Sequence, residues 1–122
     1  MVNIVVGGQM DKQQIGKLIE EYGKGKVKVN IKGDIEAVLD LKNGQADYYF
    51  GSCATGAGGA LAMAIGIIGA ANCLSVSIPG KVLSEEEMRK AVKDGKKAFG
   101  FVNTDAEKVI PILIDEILNK EE

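Results

Sequence analysis

Tyr48-Tyr-Phe-Gly-Ser-Cys-Ala-Thr-Gly-Ala-Gly-Gly-Ala60 opens a run, continuing to Pro79, that contains no charged side chain. An apolar run longer than about 18 residues is ordinarily read as a membrane-spanning helix. Here Ser52, Thr55, Asn72, Ser75 and Ser77 interrupt the run, six of the chain's 16 glycines fall between positions 51 and 69, and Cys73-Leu-Ser-Val-Ser-Ile78 alternates as a strand does. A buried strand, a buried helix and a second buried strand in succession account for it, so no membrane span is expected.

The same alternation extends in both directions. Val2 to Val6 is a β-branched run closed by Gly7-Gly8, which reads as a strand and its turn. Asp11 to Tyr22 places Ile15, Leu18, Ile19 and Tyr22 at helical spacing before Gly23. Lys26-Val-Lys-Val-Asn-Ile31 alternates strictly, and Asp34 to Lys42 is a second helix stopped by Asn43-Gly44. After the strand at Tyr48 to Ser52, a third helix is predicted from Gly58 to Ala70 and a fourth strand from Cys73 to Ile78, ended by Pro79-Gly80. Ser84-Glu-Glu-Glu87 has the capping-box spacing for a fourth helix reaching Gly95. Ala98 to Val102 is the fifth strand, and Thr104-Asp-Ala-Glu107 starts a last helix to about Asn119, with Pro111 inside it.

Five strands alternating with five helices predict a single α/β domain over residues 1–122: three αβα layers around a five-stranded parallel sheet. The expected strand order is the flavodoxin/Rossmann-like 2-1-3-4-5. Lysines on the second strand, Lys26 and Lys28, suit an exposed edge. Strands 1, 3 and 4 carry no internal charge, as central strands should.

The chain's 15 basic and 17 acidic side chains leave a net charge of −2, which argues against nucleic-acid binding. There is no histidine, which excludes histidine triads, histidine-ligated metals and histidyl-phosphate carriers. Two cysteines, Cys53 and Cys73, do not make a disulfide scaffold or zinc ribbon. With no signal peptide expected, cytoplasmic residence is the default.

In this topology a ligand binds beyond the carboxyl ends of strands 1 and 3, where the winding reverses. The two loops there, Gly7-Gly8-Gln9-Met10 and Gly51-Ser-Cys-Ala-Thr-Gly-Ala-Gly-Gly59, are glycine-rich, so topology and composition choose one place. The candidate ligand-binding residues are Gly7, Gly8, Gln9, Ser52, Cys53, Thr55, Gly56, Ala57, Gly58 and Gly59. Backbone N–H groups at a helix start suit a small anion, phosphorylated or carboxylate, with Ser52, Thr55 and Asn72 as neutral donors. Close helix packing alone would also explain the glycines, and it is the reading preferred for Gly66 and Gly69. The spacing is neither a Walker loop nor G-x-G-x-x-G, so no nucleotide cofactor is expected. Nor is a metal: Glu85-Glu86-Glu87 reads as charge at a helix start.

Cys53 is the candidate catalytic residue, since a thiolate beside a helix N-terminus can act as nucleophile or base; a buried inert thiol is the plain alternative. Cys73 reads as core, and Asp47 as a turn or capping residue at the amino end of its strand. Lys81 reads as a surface lysine near the rim. The charge-free helix over 57–71 points to a homodimer or higher homo-oligomer.

The pattern G-Q-x-D-Y-Y-x-G-x-C-x-T-G-A-G at Gly44 to Gly58, with A-F-G at Ala98 to Gly100, resembles a small bacterial glycine-rich family known as a domain of unknown function, DUF2620. More distantly, Asp47, Cys53, Thr55, Gly56 and Gly58 are similar to the motif of the B-type ribose/galactose sugar-phosphate isomerases. That resemblance implies Cys53 as the base that moves a proton between adjacent carbons, and the 55–59 backbone as the holder of an enediolate. Those enzymes also use histidine and several arginines, whereas this chain has only Arg89. Three functional readings follow: a binder of a small anionic metabolite, an isomerase-like enzyme, or a non-catalytic oligomeric accessory subunit.

Overall fold

The computed structural model describes residues 1–54 and 58–121, with side chains in the third helix described from Leu61 onward. Five parallel strands form the sheet: β1 (Val2–Gly8), β2 (Val27–Ile31), β3 (Tyr48–Cys53), β4 (Cys73–Ser75) and β7 (Ala98–Val102). A short antiparallel hairpin, β5 (Ser77–Ile78) with β6 (Lys81–Val82), stands beside it. The helices are α1 (Lys12–Gly23), α2 (Asp34–Lys42), α3 (Gly58–Ile68), α4 (Glu85–Lys93) and α5 (Ala106–Glu121). Among the described residues, no helix is long and apolar enough to cross a membrane.

Two cores lie on opposite faces of the sheet. Under α1, α4 and α5, the side chains of Ile4, Val6, Phe50, Phe99 and Phe101 are wholly buried against Ile15, Ile19, Ile110 and Leu113. Phe50 meets Phe99 and Phe101 edge-on, with ring centroids 5.7 and 6.5 Å apart, a favoured aromatic geometry. Under α2 and α3, Val5, Tyr49 and Ala98 pack on Val38, Leu61 and Ala64.

The α/β sheet expected from the alternation is present, and the order of its last two strands differs. The sheet runs β2-β1-β3-β7-β4, so Ala98–Val102 lies beside β3 and Cys73–Ser75 forms the edge. The absence of charge could not separate these two strands, because both lack it. Burial on both faces separates them: every residue of β7 is buried, whereas Leu74 and Ser75 of β4 are only half-buried. The segment expected as one strand to Ile78 follows β7 through the Val76 N–H to Gly100 bond of 2.8 Å, then turns away at Pro79-Gly80, where Gly80 has φ +80°. The winding still reverses between β1 and β3.

Several local expectations meet the structure directly. Ser84 and Glu87 form both halves of the capping box. Asp47 accepts the Asn3 N–H at 2.8 Å and donates its own N–H to the Asn3 carbonyl at 2.7 Å, fastening the amino ends of β1 and β3. Gly7 and Gly8, read as a turn, continue β1 and pair with Gly51 and Ser52. The third helix stops at Ile68, followed by Gly69 at φ +91° and a 3₁₀ turn over Ala70–Asn72. A second 3₁₀ turn, Asn103–Asp105, precedes α5, whose interior contains Pro111.

Candidate functional site

The carboxyl ends of β1 and β3 meet at Gly8 and Ser52. Ser52 is wholly buried, and it holds the loop after β1 at two points. Its carbonyl accepts the Gln9 N–H at 3.0 Å, and its hydroxyl donates to the Met10 carbonyl at 2.5 Å. Gly8 has φ +86°, and a Cβ there would lie 2.6 Å from both the amide nitrogen and the carbonyl oxygen of Ser52. Only glycine fits that conformation in that space.

The loop is also held at its far end. Asp11 sits at the N-cap of α1 in the left-handed region, φ +54°, and its side chain caps nothing there. Its carboxylate instead accepts from the Asn103 amide at 3.0 Å, just beyond β7. Left-handed backbone at a non-glycine residue costs energy and concentrates at functional sites. Gln9 and Met10 are thereby presented to solvent between two fixed points. A shallow hollow of about 580 Å³, lined by Gln9, Asp11, Lys12, Gln13, Gln14 and Ile31, opens on this side.

On the α2–α3 face, Tyr49 reaches toward the same edge. Its ring lies across Gly7 and Gly51, which are paired in register: a Cβ at Gly51 would come within 2.6 Å of the phenol oxygen, and one at Gly7 within 2.7 Å of the ring. The phenol donates to Asp34 Oδ1 at 2.9 Å, and the Gly8 N–H donates to the same oxygen at 2.5 Å. Asp34 begins α2, so one carboxylate ties together the ends of β1, β3 and α2. Sequence reasoning missed both Tyr49 and Asp34. The available signal was the pair of glycines facing one another across two strands, which leaves room for one large ring.

Burial raises the Tyr49 pKa well above the ordinary tyrosine value, reinforced by the nearby Asp34 carboxylate and its hydrogen bond, with the Gly8 backbone opposing. Tyr48 is raised as well, by burial and then by its 2.9 Å hydrogen bond to Glu121. A native phenol that holds its proton more tightly than the unfolded one stabilises the fold fully below the unfolded pKa of about 10, and that contribution is lost as pH rises beyond it. Urea midpoints measured up to about pH 11 should therefore fall on the alkaline side. Tyr49→Phe is expected to show a shallower fall than the parent. An identical slope in both proteins would contradict the placement of Tyr49.

Cys53 ends β3 at the carboxyl edge, 4% exposed, paired in register with Val102 and on the same face as Tyr49 and Gly51. The structure thus brings Gly7, Gly8, Gln9, Ser52 and Cys53 to one edge. Thr55, Gly56 and Ala57 lie outside the described residues, and Gly58 and Gly59 form the first turn of α3. Asn72 is elsewhere, beyond the far end of α3, donating to the Ile68 carbonyl. Cys73 is buried at the start of β4, its thiol raised by desolvation. Lys81 is exposed in the β5–β6 hairpin. Arg89 belongs to the opposite side, where its guanidinium is paired with Glu85, Asp115 and Glu116 beside a hollow of about 430 Å³ near the amino end of β2. Among the described residues, no three His, Cys, Asp or Glu side chains converge as metal ligands would.

A sequence model described as "Protein of unknown function DUF2620" matches residues 2–117. "Uncharacterized protein YhfU" from Escherichia coli K12 is 40% identical over 117 residues, covering 96% of this chain and 99% of that protein; the Shigella flexneri protein of the same name matches equally. Among solved structures, a ribose 5-phosphate isomerase from Thermotoga maritima superposes with a TM-score of 0.68 at 17% identity, over 96% of this chain and 86% of its own. Ribose-5-phosphate isomerase B from Giardia lamblia gives a TM-score of 0.58 at 16% identity, over 96% and 87%. At these identities the shared property is the fold.

Proposed function

The chain belongs to the family described as protein of unknown function DUF2620, and on that footing we propose that it binds a small anionic metabolite, phosphorylated or carboxylate, at the loops after β1 and β3. The observation that carries this reading is the double clamp of Ser52 on the Gln9–Met10 loop at the reversal point of the sheet. It fixes two loop ends in the place where open parallel sheets take their ligands. The start of α3 then supplies the anion with first-turn backbone N–H groups, which a helix does not itself satisfy, and the positive end of a helix dipole. Calorimetric titration with phosphorylated sugars and organic acids tests it directly: saturable binding of one class supports the reading, and none across both classes overturns it.

A second reading makes the same site catalytic, with Cys53 as a base in isomerase-like proton transfer. Its support is the position of the thiol at the end of β3 and the fold shared with two ribose 5-phosphate isomerases. Against it stand the absence of histidine and the engagement of the one arginine in ion pairs away from the site. Cys53→Ala is expected to retain anion binding and, if the site is catalytic, to lose turnover. Turnover that survives this substitution removes Cys53 as the base.

A third reading, an oligomeric accessory subunit, draws on exposed apolar side chains of α2 and α3. Met63 and Ile65 of α3 are 38% and 43% exposed, and Ile35 and Leu39 of α2 are 55% and 39% exposed. Sedimentation of the purified chain as a homodimer or larger assembly would support it; a monomer would count against it.

A further inference from the structure

Asp34 is half-buried at the first position of α2, and its two carboxylate oxygens are used unequally. Oδ1 accepts both the Gly8 N–H and the Tyr49 phenol. Among the described residues, no hydrogen bond goes to Oδ2. Two donors on one oxygen fix the plane of the carboxylate, so the second oxygen is presented in a set direction beside Gly8. The lysines of the neighbouring loops are engaged elsewhere: Lys32 pairs with Asp40, and Lys12 donates to the Lys32 carbonyl. The charge on Asp34 is thus held by neutral donors at the edge where an anion is proposed to sit. Such a group repels a second anionic substituent and favours a hydrogen-bond donor.

We propose that Asp34 is a binding residue that sets the specificity of the β1–β3 site, its outer carboxylate oxygen accepting a hydrogen bond from a hydroxyl or ammonium group on the bound anion. The ligand is then bipolar in recognition, its anionic group toward the start of α3 and its donor toward Asp34. This inference rests on the anion site proposed above. Tyr49 acts as a positioning residue: its phenol, ending over Gly51 two residues before Cys53, holds Asp34 in place and touches no ligand.

Calorimetric titration of the full chain with methyl phosphate, 2-hydroxyethyl phosphate and 2-aminoethyl phosphate tests it. A hydrogen bond to a charged acceptor predicts that at least one of the two donor-bearing compounds binds about tenfold tighter than methyl phosphate. The tighter of the two identifies the donor as hydroxyl or ammonium. In Asp34→Asn, which keeps an acceptor for Gly8 and Tyr49, that advantage is expected to vanish while methyl phosphate binds as well or better. Tyr49→Phe is expected to lose only part of it. Equal binding of all three compounds, or an advantage that persists in Asp34→Asn, overturns the role of Asp34 and leaves the anion site standing. Failure of all three to bind overturns the role of Asp34, and failure of organic acids to bind as well overturns the anion site.

Discussion

Gly8→Ala is expected to destabilise the protein by about 3 kcal/mol or more, the sum of a left-handed backbone penalty and an overpacked contact. At φ +86° the added Cβ would sit 2.6 Å from two backbone atoms of Ser52, and neither can swing aside as a side-chain end could. Ser52 cannot retreat without breaking its bonds to Gln9 and Met10, so strain at Gly8 is transmitted to the loop. For a chain of this size the thermal midpoint should fall by roughly 10 °C. Gly66→Ala is the internal comparison, because nothing lies within 4 Å of a Cβ at that exposed position of α3. A gain of about 0.5–1 kcal/mol is expected there from helix propensity. A Gly8→Ala protein as stable as the parent would refute the close approach of β1 and β3; a loss at Gly66 would instead reveal a partner packed on α3.

Asp34→Ala should be the second large effect. It strips the acceptor from the Gly8 N–H and from a phenol whose residue is wholly buried. Leaving buried donors unsatisfied costs about 1–3 kcal/mol for each group, and the half-exposed position of Asp34 lets water recover part of this. A net loss of about 2–4 kcal/mol by urea unfolding is therefore expected. Adding Tyr49→Phe removes one of the two donors that lose their bond to Asp34. The double variant should then be less destabilised than the sum of the single ones, by about 1 kcal/mol. Strict additivity would show that the phenol and the carboxylate do not depend on each other.

The parts of this fold that local chemistry dictates could be read from the chain itself. Ser84 and Glu87 form their cap from contacts within four residues. The lysine-bearing β2 lies at a sheet edge because ammonium groups need water. The glycine-rich loops after β1 and β3 pointed to the carboxyl edge between those strands, and five of the singled-out residues meet there. What escaped depends on partners distant in sequence. The order of β4 and β7 turned on which strand is buried on both faces, and neither carries a charge to reveal it. Gly7 read as part of a turn and a ligand loop, and Gly51 as the start of the second glycine-rich loop. Their purpose is to accommodate the Tyr49 ring, and that shows only once Gly7 and Gly51 are paired. Asp34 had an adequate local explanation as a carboxylate in the first turn of a helix, which hid its bonds to β1 and β3.

Titrating inorganic phosphate into ¹⁵N-labelled protein and following each backbone amide tests whether an anion binds where β1 and β3 end. Saturable shifts are expected to concentrate at Gly8, Gln9, Cys53 and residues 55–59, with the amides around Arg89 unmoved. Shifts gathered instead around Lys24, Lys26 and Arg89, or no saturable shift at the β1–β3 edge, would contradict it.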